Sequence, residues 1–115
     1  MIPPHLFQAS QLDWEPHPRL CGVRIKSLEN SSTFDQASVT LVQLDAGGII
    51  EPHSHENGYE TAYVISGRGL LTLPDGDVEL GAGDGVTVPP RTVHSLRNTG
   101  DQTIEILAVH IPPLM

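Results

Sequence analysis

From residue 20 onward the chain is a succession of short apolar runs, most of them closed by glycine, proline or asparagine. The runs fall at 20–27, 37–45, 49–55, 60–66, 69–74, 77–80, 86–89, 92–98 and 103–111. They have the length and residue types of strands rather than helices, and no stretch sustains a helical period. Most are separated by Gly47-Gly48, Asn57-Gly58, Gly67-Arg68-Gly69, Pro74-Asp75-Gly76, Gly81-Ala82-Gly83, Pro89-Pro90 and Thr99-Gly100. Asp75-Gly76 reads as a hairpin turn, because it offers positive φ at low steric cost between β-rich flanks. Many short strands with evenly spaced turns bury one face only by closing on themselves, so the pattern predicts an all-β sandwich or barrel. The last strand is expected to stop at Ile111, ahead of Pro112-Pro113.

Residues 1–19 differ, being rich in proline, histidine and polar side chains. They are read as an arm, anchored through Leu12 and Trp14, that packs on the body or exchanges with a partner. Residues 20–115 are read as one domain, since 115 residues suffice for a single modest core and not for two. With only Phe7, Trp14, Phe34, Tyr59 and Tyr63 as aromatics, that core must be built from Val, Ile and Leu.

Charge narrows the partners. The formal net charge is −8, and the six cations (Arg19, Arg24, Lys26, Arg68, Arg91, Arg97) are scattered. A nucleic-acid surface needs clustered cations, and an anionic membrane selects for them too, so neither partner is expected. No apolar run is long enough to span a bilayer, and the first ten residues lack the pattern of a signal peptide. Cys21 is the only cysteine, which excludes an internal disulfide; a reduced, cytoplasmic setting is expected, with Cys21 a small buried hydrophobe.

The chemistry concentrates at His53-Ser54-His55, Glu60 and His94. On a strand, His53 and His55 project the same way with Cα atoms roughly 6.5–7 Å apart, close enough to converge on one ion. Glu56-Asn57-Gly58-Tyr59 reads as a tight reversal with Asn-Gly in left-handed positions, bringing Glu60 onto the adjacent strand. A His-x-His pair or a strand glutamate alone is commonplace; the combination with an immediate turn is hard to assign to a surface. His110 shares strand parity with Ile104, Ile106 and Ala108, so it either faces the interior as a partner of the ligand residues or is a satisfied core histidine, and the core reading is favoured. His5 and His17 are read as solvated, and Tyr63 and Arg68 as residues that line or flank a cavity.

These residues also resemble a known family. Gly47, five residues, His53-Ser54-His55, four residues, Glu60, six residues, Gly67 is similar to the first motif of the cupins. Gly83, five residues, Pro89, then His94 and, after three residues, Asn98 resembles the second, with Arg91 where that motif usually has glycine. The resemblance implies a double-stranded β-helix, or jelly-roll barrel, holding one divalent transition metal (Fe, Mn, Ni, Zn, Co or Cu) on His53, His55, Glu60 and His94. It further implies turn roles for Gly47, Gly67 and Gly83, and for Asn98 either a structural role or one of supporting the ligand residues from behind. Arg91 suggests a turn that needs no positive φ, with the guanidinium solvated.

Four protein ligands in an octahedral arrangement leave two positions for a small-molecule substrate. The expected function is therefore a metal-dependent oxygenase or oxidoreductase acting on a small carboxylate or enol, with Glu60 available as a base. Its alternatives are a non-catalytic small-molecule sensor and a metal-dependent isomerase or decarboxylase. A homodimer is expected, because pairing covers the open edges of a small β-domain.

Overall fold

A computed structural model of the chain describes residues 3–115. A 3-10 turn at Ala9–Gln11 precedes ten strands: β1 (Glu15–Pro16), β2 (Val23–Glu29), β3 (Ser38–Leu44), β4 (Ile49–His53), β5 (Tyr59–Ser66), β6 (Arg68–Leu73), β7 (Gly76–Gly81), β8 (Gly85–Val88), β9 (His94–Asn98) and β10 (Ile104–Ile111). They form two antiparallel sheets, one of order β1-β2-β3-β10-β5-β8 and one of order β4-β9-β6-β7. This is the jelly roll, and each predicted apolar run overlaps one of its strands. No described helix is long and apolar enough to cross a membrane.

Alternation explains how the sheets meet. Ile104, Ile106, Ala108 and His110 are the buried positions of β10, and they lie beside the buried Leu44, Thr40 and Ser38 of β3. Opposite them, Leu71 of β6 and Leu96 of β9 face inward as a directly paired couple. The core is aliphatic, with Leu44 and Ile104 fully buried between the sheets. Asn98 is buried within it and fully used. Its Nδ2 donates to the carbonyls of Leu44 (3.0 Å) and Gln102 (2.8 Å), and its Oδ1 accepts from the Gly100 N–H (3.0 Å).

Local expectations change at Asp75-Gly76, Cys21 and His5. The β6–β7 hairpin closes between Leu73 and Gly76, so its two-residue loop is Pro74-Asp75 and Gly76 (φ 137°) supplies the positive φ at the strand start. Proline's fixed φ suits the first loop position, which moves the turn back by one residue. Cys21 is exposed rather than buried, in the turn before β2. The arm lies along this chain's own barrel: Lys26 Nζ sits 4.9 Å above the Trp14 ring and donates to Ala9 O at 2.8 Å, and Leu12 is 37% exposed. His5 is not simply solvated, because its Nδ1 pairs with the carboxylate of buried Glu29.

Candidate metal centre

β4 and β9 form one wall of the site, and a bulge sets their facing. Ile50 pairs with Leu96 and His53 pairs with His94, so three steps along β4 match two along β9. With strict alternation Ile50 and His53 would face opposite ways; the extra residue turns both inward. Pro52, which has no N–H to give a ladder, lies in that bulge.

His55 does not stand on the strand. β4 ends at His53, and His55 follows in the connecting segment, where its carbonyl accepts from the Arg91 N–H at 2.7 Å. That contact changes the reading of Arg91. Its φ is 59°, a left-handed conformation at the position where the second motif usually has glycine, so the turn does require positive φ and this chain accepts the strain. Gly47, Gly67 and Gly83 all take positive φ, at 75°, 85° and 92°, as their turn roles imply.

Glu60 arrives from the other sheet. The Asn57-Gly58 reversal contains no left-handed residue, and β5 is not the neighbour of β4. The segment carries the chain across the barrel instead, so Glu60 faces the histidines from the opposite wall. The closure is three-dimensional, and a hairpin reading of the sequence has no means of showing it.

The four side chains converge, their donor atoms lying within 4.8 Å of one another. The His94 ring centroid is 4.2 Å from that of His53 and 5.5 Å from that of His55. Glu60 Oε1 lies 3.2 Å from His55 Nε2 and 3.1 Å from His94 Nε2. His53 Nδ1 donates to the Glu51 carbonyl (2.8 Å) and His94 Nδ1 to that of Thr92 (2.9 Å). A carbonyl only accepts, so both rings carry a proton on Nδ1 and commit Nε2 to the centre. This is how ligating histidines are held in metal sites. Donor set, tautomer and convergence therefore fit a divalent transition ion at about 2.0–2.2 Å from each donor.

His110 belongs to this site, contrary to the core reading. It pairs with Glu60 across β10 and β5, and its Nε2 lies 3.5 Å from Glu60 Oε1. Its parity with the core residues of β10 was visible in the sequence; the strand beside which β10 would lie was not. His17 is also less free than expected, its Nδ1 accepting from the N–H groups of Arg19 (3.0 Å) and Leu20 (3.1 Å) at the rim. Tyr63 and Arg68 do not line the cavity: Tyr63 is 48% exposed, and Arg68 is also exposed.

Burial pushes the Glu60 carboxyl up, but the neighbouring His110 and His94 outweigh it and hold the group far below the usual carboxylate range. Burial lowers the His94 imidazolium while Glu60 raises it, with a net rise; for His55 burial prevails and the net shift is downward. Ligation needs neutral imidazole, and Glu60 favours the protonated form of His94, so metal affinity falls as pH drops through the histidine range. Equilibrium dialysis at stepped pH is expected to show release beginning near neutrality and complete by about pH 5. Full stoichiometry well below that pH would count against a three-histidine centre.

The four converging side chains lie at the polar end of a cavity of about 830 Å³ between the sheets. The family model described as "Cupin domain" matches residues 40–110. Among curated proteins the chain is 38% identical over 61 residues to an uncharacterized protein of Methanocaldococcus jannaschii, covering 53% of this chain and 49% of that one. It is 34% identical over 70 residues to an oxalate-binding protein of Thermotoga maritima, covering 61% and 58%. The matches thus span about half the length of these curated relatives. Among solved structures, a predicted oxalate decarboxylase from Thermotoga maritima superposes with a TM-score of 0.85 at 26% identity, over 94% of this chain and 99% of that one. KdgF from a Halomonas species does so with a TM-score of 0.84 at 22% identity, over 96% and 94%, which is a likeness of fold.

Proposed function

The chain belongs to the cupin family, and on that premise we propose that it is a metal-dependent enzyme, an oxygenase or related oxidoreductase acting on a small organic acid or enol. The observation that carries this reading is the convergence of His53, His55, Glu60 and His94 from two sheets at the end of a ligand-sized cavity. Four donors leave room in an octahedral shell, and a bound ion would supply Lewis-acid or redox chemistry there. The residues do the rest. Glu51 and Thr92 orient the imidazoles, and Glu60, held ionised by its histidine neighbours, is ready as an anionic donor; to act as a base it would first have to leave the ion.

A second reading is binding without turnover, and the name of the 34%-identical oxalate-binding relative favours it. Decarboxylation or isomerisation is a third, and the name of the 26%-identical solved structure supports the decarboxylation. Metal analysis of protein purified without added metal, followed by oxygen-uptake screening on small acids, diketones and thiols, separates them. Uptake tied to one substrate is the expected result. Tight ligand binding with neither uptake nor product would replace the enzyme by a sensor.

The same proposal places the protein in the cytoplasm as a homodimer. The exposed Tyr59, Tyr63, Ile65 and Ile111, on paired strands β5 and β10 of the six-stranded sheet, support the dimer as a face to be covered. Sedimentation at the monomer mass would remove it.

A further inference from the structure

The cavity is not shaped for a very small, doubly charged ligand. Beyond the ligand cluster its walls are aliphatic: Ile25, Val42, Ile50, Ala62 and Val86 line it, pack against the buried core and yet stay only half-buried. Its volume, about 830 Å³, lies within the range of sites that enclose drug-sized molecules. Arg19, exposed at the rim, is the single Lys or Arg among its lining residues, so a second carboxylate deep inside would meet no cation. Directly beyond Glu60 and His110, which pair across β5 and β10, the next inward pair is Ala62 and Ala108. Two alanines facing each other beside the ligand cluster leave space that any larger pair would fill.

We propose that this site takes a ligand with two parts: a chelating oxygen head at the histidine–glutamate end, and an aromatic or branched apolar body seated on Ala62, Ala108 and the aliphatic wall. Only the head rests on the metal-dependent reading above. The body rests on the cavity itself, and Ala62 is the residue that sets which bodies fit.

The test compares two diketones with the same head, pentane-2,4-dione and 1-phenylbutane-1,3-dione, by calorimetry on zinc-loaded protein and on protein stripped of metal. The phenyl compound is expected to bind about tenfold more tightly or better, as burial of an aromatic ring implies. Ala62→Phe is expected to abolish that ratio, with metal content measured on the same protein as the control for the histidine–glutamate end. Should that variant not fold, Val86→Phe fills the same space from the paired position on β8. Equal affinities for the two diketones in wild-type protein overturn the apolar seat and leave the metal centre standing. A ratio that survives in a folded, filled variant overturns its location. If no metal binds, the metal-dependent function fails, and the ratio on the stripped protein still decides the seat.

Discussion

Replacing His94 with alanine is expected to lower divalent-metal affinity by roughly two to three orders of magnitude while the barrel remains folded. The magnitude follows from dividing a four-ligand binding free energy of about 10–16 kcal/mol among its donors, so that one donor accounts for about 3–4 kcal/mol. His94 is not interchangeable with the other imidazoles. It is the buried member of the set, its Nδ1 is tied to Thr92, and its Nε2 lies 3.1 Å from Glu60 Oε1. Removing it takes away a donor already oriented and leaves Glu60 with fewer partners against its burial. The Glu60 carboxyl therefore moves back toward the ordinary range, which weakens a second ligand at low pH. Metal content after dialysis against a competing chelator, with circular dichroism as the folding control, reads both effects. Unchanged metal content in folded variant protein would remove His94 from the site.

His94 also shows how much of this site the sequence exposed. Its residue type and spacing identified it, and the apolar runs located the strands that surround it, because strand periodicity and turn residues are local properties. What the local pattern left out is how strands meet. The parity of His53 against Ile50 appears wrong for a shared interior face, and only the bulge opposite β9 makes it right. His55 leaves the strand because the carbonyl it presents is taken by Arg91, thirty-six residues away. Glu60 comes from the opposite sheet and brings His110 with it through the β5–β10 pairing. Arg91 misleads for another reason. A residue with a Cβ disfavours left-handed φ by an energy small beside the total stability, so its presence in place of glycine does not show that the turn has changed.

Gly67 is a position where the fold is expected to tolerate little change. It joins β5 of one sheet to β6 of the other, with φ at 85°. A Cβ built there would lie 2.8 Å from Ile104 Cα and 3.0 Å from the Thr103 carbonyl oxygen, both backbone atoms of the segment entering β10. No side-chain rotation relieves such contacts. Gly67→Ala therefore combines a left-handed strain of about 1–3 kcal/mol with an overpacking cost of about 1–3 kcal/mol. The sum is a large share of the roughly 5–15 kcal/mol that holds a domain of this size folded. Gly47→Ala is the matched control: its φ is 75°, and nothing lies within 4 Å of the added carbon, so it carries the conformational strain alone. Urea unfolding is expected to place Gly67→Ala below Gly47→Ala by at least about 1 kcal/mol, and equal losses would show that the contact with β10 relaxes freely. Saturating metal binds only the folded chain and raises its stability by an increment set by affinity. Glu60 lies seven residues upstream on a strand paired on both sides, so that increment is expected to be the same in Gly67→Ala as in the wild type. A smaller increment would mean that the sheet crossing at Gly67 also positions Glu60.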